Sequence, residues 1–261
     1  MVTFLFALVV LAATVVGSIS GIGGGVLIKP VMDLIFSMPT SEISFLSGTT
    51  VLTMTVVSLL RSRRELKVDL RTFMLALGGA VGGVAGKQLF DIVKRAAGKD
   101  AFVGLVQNII MVLLTASVFI YTLKKASVRT KNVKSPVIAL IVGLFLGVLS
   151  SFLGIGGGPI NIMILSYLFS METKTAALSS LFVIFFSQVF SLMTSLVTNT
   201  VPEFEWPMLI MMMVCAVVGS TVGRMFSKKM DNKAVDKLFM ILMAIIIALS
   251  IYNCFKFGMM L

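Results

Sequence analysis

Ser18-Ile19-Ser20-Gly21-Ile22-Gly23-Gly24-Gly25 and Ser151-Phe152-Leu153-Gly154-Ile155-Gly156-Gly157-Gly158 carry the same Gly-Ile-Gly-Gly-Gly segment. Gly21 and Gly154 stand 133 residues apart, about half of the 261-residue chain. Each copy ends one long apolar run and begins another, so each reads as a membrane helix broken at the same place in two related halves. Three adjacent glycines weaken a helix by about 1 kcal/mol per residue relative to alanine. In lipid the break is costlier still, because freed backbone N–H and C=O groups must be satisfied by protein or by a water-filled cavity. Matching breaks in two halves point to a binding site between them.

Outward from the glycines the likeness continues. Leu46-Ser47 faces Leu178-Ser179, and Gly82-Gly83 with Gly86-Lys87 faces Gly219-Ser220 with Gly223-Arg224. Each half therefore reads as a helix, a glycine break, a short helix, a polar-faced helix and two more helices. Apolar stretches fall at 2–19, 26–36, 43–60, 70–90, 101–123, 136–153, 159–170, 175–198, 206–226 and 234–257. Most are long enough to cross a hydrocarbon core of roughly 30 Å, while 26–36 and 159–170 are too short. The organisation expected is a first transmembrane repeat over 1–123, a basic cytoplasmic linker over 124–135 and a second repeat over 136–261. The first segment is kept as a helix, since Met1 to Phe6 lacks the charged start of a cleavable signal.

At 58% hydrophobic and 13% charged residues, with a mean hydropathy of +1.07, the chain is an integral membrane protein. Its two cysteines, Cys215 and Cys254, sit singly in apolar runs, which argues against a disulfide framework or a thiolate metal site. There is no histidine, so the commonest proton shuttle and metal ligand is missing. The 19 methionines read as flexible packing. A net charge of +11 could suggest nucleic acid, but nearly all Lys and Arg fall in short loops between apolar runs, as membrane orientation requires.

Those charges also bear on topology. If every long run crosses, the two sides of the membrane collect 11 and 10 basic residues, and no positive-inside bias remains. If instead each short helix and its successor form a hairpin that enters and leaves one face, the second half is inverted. The cytoplasmic loops 61–71, 124–134 and 224–237 then hold 15 basic residues against five. The expected fold is an all-α integral membrane protein of two homologous four-helix-plus-broken-helix repeats, inverted, with the glycine breaks meeting near the midplane.

Gly23, Gly24 and Gly25, and Gly156, Gly157 and Gly158, leave free amides ahead of the helices that start at Val26 and Pro159. Proline suits a first turn, where its missing N–H is not needed. Amides at a helix N-terminus, with its partial positive charge, bind anions, and two such ends would grip one from both sides. Lys29 either adds charge for that anion or merely neutralises Asp33 one turn later. Asp33 and Glu42 are the candidates for a coupling proton, and Asn161 occupies the place corresponding to the Lys29 region. Polar faces supply Ser47, Thr49 and Thr50 in one half and Ser179, Ser180 and Gln188 in the other. Singly such hydroxyls bond their own helix; beside both breaks they suggest a polar cavity. Gly78, Gly82 and Gly86 read as helix-packing glycines, and Lys87 and Arg224 as helix ends that snorkel to the membrane surface.

The doubled glycine motif, the leucine-serine stretch after each copy and the Gly-x-x-x-Gly-Lys/Arg late in each half resemble the sulfite exporter TauE/SafE family over almost the whole chain. The resemblance implies a plasma-membrane secondary transporter, without cofactors, for sulfite, an organosulfonate or a related sulfur-containing or organic anion. Proton coupling would fit such a carrier. Expected partners are the solute and lipid, with a second copy of the chain a further candidate and no nucleic acid. An anion channel using the same helix ends is the alternative. An intramembrane enzyme is disfavoured, since no histidine and no carboxylate pair with metal-ligand spacing is present.

Overall fold

The computed structural model describes residues 2–65 and 68–261. Among them lie ten α-helices and no strand. In the first half these are α1 (Val2–Ser20), α2 (Gly25–Ile35), α3 (Thr40–Ser62), α4 (Leu70–Ala97) and α5 (Asp100–Lys124). A single 3-10 turn, Lys125–Ser127, leads to α6 (Pro136–Leu153), α7 (Pro159–Phe169), α8 (Thr173–Val197), α9 (Trp206–Lys229) and α10 (Asn232–Gly258). Each of the ten apolar runs is a helix, and the two glycine segments are the gaps between α1 and α2 and between α6 and α7. Seven of the helices, α3, α4, α5, α6, α8, α9 and α10, are long and apolar enough to cross a membrane. Large side chains such as Leu113, Ile141, Val214 and Ile245 are exposed on the outside, a surface that lipid covers.

The two halves are interleaved. α4 packs on α6 and α8, and correspondingly α9 packs on α1 and α3, while α5 packs on α10. Small residues allow this approach: a Cβ on Gly78, Gly82 or Gly86 would strike the α6 backbone at Leu140, Leu144 or Val148.

Helix ends gather in two groups. On face one, Phe6 and Phe36 meet edge to face with ring centroids 5.0 Å apart, Lys94 Nζ donates to Ser41 Oγ at 2.8 Å, and Lys256 Nζ donates to the Asp33 carbonyl at 2.6 Å. On face two, Arg71 reaches the Val133 carbonyl at 3.3 Å, Val133 N–H donates to Leu168 O at 2.7 Å, and Lys125 bonds Thr173 at 2.7 Å and Asp236 at 3.1 Å. Asp69 caps α4 there by accepting from the Thr72 N–H at 2.9 Å. Burial pushes the Asp69 carboxyl up, but the Thr72 bonds and the Arg71 ion pair outweigh it and hold it below its ordinary value.

α3 and α8 each have one end in each group, whereas α1 and α2 both have an end on face one, and α6 and α7 both have one on face two. The hairpin is thus made by the first helix and the short helix, not by the short helix and its successor as the sequence suggested. The reason is length. At about 1.5 Å per residue the 25 residues of α8 run about 37 Å, enough to cross outright. Lys174, left out of the charge count, belongs to face two, where its N–H donates to Asn232 Oδ1 at 3.3 Å.

Candidate functional site

The two glycine breaks touch. Gly23 and Gly156 have φ of 85° and 67°, the left-handed region that glycine enters freely. A Cβ at Gly23 would stand 3.0 Å from the Gly156 carbonyl oxygen, and one at Gly25 would strike the Ile155 carbonyl. Val51 of α3 fills the space over Gly156, and Ile184 of α8 the space over Gly157. Gly21 to Gly25 and Gly154 to Gly158 are all buried. Side chains satisfy part of the freed backbone: Gln107 Nε2 donates to Phe152 O at 2.6 Å and Ser180 Oγ to Gly21 O at 2.8 Å. Protein, not lipid, bears the cost of the breaks.

A narrow cleft of about 50 Å³ descends from face one to Gly154 at the second break. From α3 it takes Ser41, Ser44, Gly48 and Thr49, and from α8 Gln188, Ser191 and Ser195. Ser151 closes one wall, its hydroxyl 2.7 Å from that of Ser191, and Gln188 Nε2 donates to Ser150 Oγ at 3.3 Å. Lys87 of α4 supplies a cation, 12% exposed, bonded to Asp91 at 2.7 Å and lying 5.2 Å from the Phe90 ring centre. Hydroxyls that can turn their protons inward and one ammonium make a cleft suited to a small anion.

The sulfite exporter TauE/SafE family model matches residues 5–250 of the 261. The chain belongs to the TauE/SafE family. It is a multi-pass membrane protein of a transporter family. Comparison with curated proteins and with solved structures gives no match.

Of the site residues expected from sequence, this TauE/SafE chain brings Thr49 and Gln188 into the cleft. Thr50 bonds the Leu46 carbonyl of its own helix at 2.7 Å, and Ser180 is committed to Gly21. Ser179 is buried, as are Ser47, whose hydroxyl has no partner, and Asn161, with neither amide atom bonded. Gly24 and Gly158 cap α2 and α7. Val51 and Ile184 pack over Gly156 and Gly157, while small cavities touch Gly157, Gly158 and Asn161 at the start of α7 and Gly23 and Val26 at the start of α2. Lys29 and Asp33 form a separate buried cluster with Asn108, outside the cleft lining. Glu42 is partly exposed in the first turn of α3.

Lys87 and Arg224 correct the sequence reading. Neither ends its helix at a surface: α4 runs on to Ala97, and Arg224 is 4% exposed. The signal for Lys87 was Asp91 four residues on, the spacing that also joins Lys29 to Asp33. Ser151 and Ser191 were missed as site residues, although Ser18 and Ser58 repeat them 133 positions earlier.

Proposed function

We propose that the chain is a secondary transporter that carries a small sulfur-containing anion, sulfite or an organosulfonate, across the plasma membrane by alternating access through the face-one cleft. The observation that carries this reading is the cleft itself, with several hydroxyls set among apolar side chains such as Phe45 and Leu192, the Lys87 ammonium in its wall and a broken helix at its floor. Substrate binding falls to Lys87, Thr49, Gln188 and the Ser151–Ser191 pair. The glycine breaks serve as the flexible seam against which Val51 and Ile184 rest.

Inverted repeats, 1–123 and 136–261 about the linker 124–135, fit the arrangement of ends. α1 with α2 returns to face one, and α6 with α7 returns to face two. Face two carries the basic loops, and the positive-inside bias therefore assigns it to the cytoplasm. A repeat that can exchange conformations with its inverted partner gives a carrier its two states. For proton coupling the candidates are Asp33, buried on α2, and Glu42. A channel is the weaker reading, because Val51 and Ile184 pack over Gly156 and Gly157 where the two breaks meet.

Purified protein in proteoliposomes loaded with sulfite provides the test. Flux that saturates with sulfite and falls in Lys87→Gln supports the carrier. Flux that rises without saturation and carries a conductance belongs to a channel.

A further inference from the structure

Face two holds a second charged depression, of about 260 Å³, lined by Glu65, Lys174, Leu178, Arg224, Ser227 and Lys228. Among the described residues, three cations there face one carboxylate. Arg224 is buried, with Nη2 on Glu65 Oε2 at 3.0 Å and Nη1 on Ser227 Oγ at 3.2 Å. Its Nε is buried and has no partner. Lys228 Nζ lies 3.2 Å from the other Glu65 oxygen. Glu65 itself, just past the end of α3, is 42% exposed.

The same construction underlies the face-one cleft. Gly86 precedes Lys87 on α4, and Gly223 precedes Arg224 on α9. A Cβ at Gly86 would lie 3.0 Å from Ser151 Cβ, and one at Gly223 would lie 2.9 Å from Ser18 Cβ. Ser151 meets Ser191 at 2.7 Å, and Ser18 meets Ser58 at 2.9 Å, each pair 40 residues apart in sequence. On each face the glycine before a cation of one half thus packs against a serine pair of the other. On face one the arrangement opens into a cleft. On face two Ser18 and Ser58 are fully buried, and the carboxylate on the cation is Glu65, from past the end of another helix, where on face one it is Asp91 of Lys87's own helix.

A carboxylate and a sulfur oxyanion offer the same chemistry to a guanidinium, namely oxygens sharing negative charge within reach of a planar fork of donors. We infer that the Arg224 depression is a second oxyanion site, the face-two counterpart of the Lys87 cleft, and that Glu65 holds it as a tethered substitute anion. The inference rests on the anion-transport reading for its substrate class, while its geometry stands on Arg224, Ser227 and Lys228. An oxyanion that takes Arg224 releases Glu65, and with it the tie between the end of α3 and α9.

The test uses the protein in detergent, titrated with sodium sulfite by calorimetry at constant ionic strength, in a Lys87→Gln background that weakens binding at face one. Adding Glu65→Gln removes the competing carboxylate and should tighten sulfite binding about tenfold, the worth of one charge-assisted bond. Adding Arg224→Gln should then abolish it. Since loss of a buried arginine threatens folding, Ser227→Ala is the second probe. In the Lys87→Gln/Glu65→Gln protein it should weaken sulfite binding about fivefold, one neutral hydrogen bond, with an unchanged Tm. Sulfite affinity in Lys87→Gln/Glu65→Gln no higher than in Lys87→Gln would overturn the inference. Failure of the face-one reading looks different: Lys87→Gln alone would then bind sulfite as the wild type does.

Discussion

Lys29 Nζ lies 3.6 Å from Asp33 Oδ2, with both side chains sealed from solvent. Asn108 Nδ2 donates to that same oxygen at 3.3 Å, while Lys29 Nζ and Asp33 Oδ1 make no hydrogen bond. Charges this deep are tolerated only as a pair, and removing one partner strands the other at a cost of about 3 to 5 kcal/mol. Lys29→Met alone should therefore lower the Tm of the purified protein markedly. Lys29→Met combined with Asp33→Leu should recover most of that loss and leave sulfite affinity unchanged, because the pair stands outside the cleft. A double variant that folds well but binds sulfite poorly would return Lys29 to the substrate site.

The helices were legible because hydrophobic length alone identifies them in a membrane protein, and the doubled glycine segments marked where α1 and α6 end. Which helices form the hairpin was not legible from composition. It depends on α4 packing across to α6 and α9 across to α1, contacts between residues far apart in sequence. Lys87 was misread because Gln88 to Ala97 mixes polar and apolar residues, which looks like a helix leaving the membrane. Thr49 and Gln188 could be found, since polar residues on helices beside a break have few other uses. Val51 and Ile184 could not: an aliphatic residue that plugs a break has the same sequence signature as one that faces lipid.

The plug makes a prediction of its own. Alanine at Gly156 would meet two penalties, a positive φ worth about 1 to 2 kcal/mol and a collision with Val51. Gly156→Ala should lower both Tm and sulfite flux, and Val51→Ala in the same chain should restore only the part due to the collision. Full recovery in the pair would show that backbone conformation at Gly156 is unimportant. Wild-type Tm and flux in Gly156→Ala would remove the seam from the mechanism.

The proposed inverted repeats would fix the side on which each loop emerges. With Cys215 and Cys254 replaced by alanine, cysteine placed at Arg63 or Lys229 should resist an impermeant thiol reagent in intact cells and react in inverted vesicles. Cysteine at Glu203 should do the reverse. Labelling of positions 63 and 203 from the same side would restore the scheme in which every long run crosses.

The cleft divides its work between one charge and several neutral hydroxyls, and the two kinds of contact should respond differently to mutation. Lys87 contributes a charged bond, so Lys87→Gln should raise the sulfite concentration for half-maximal flux by tenfold or more, roughly 1.5 to 3 kcal/mol. Lys87→Arg should keep most of the affinity. A single hydroxyl is worth about 1 kcal/mol, close to fivefold, in Ser151→Ala or Ser191→Ala. Because these two hydroxyls bond each other at 2.7 Å, losing either one disturbs both. The double alanine variant should accordingly fall short of the product of the single effects. Purely multiplicative losses would mean that each serine meets the anion independently. No loss in either single variant, alongside a strong effect of Lys87→Gln, would leave the anion held by charge alone.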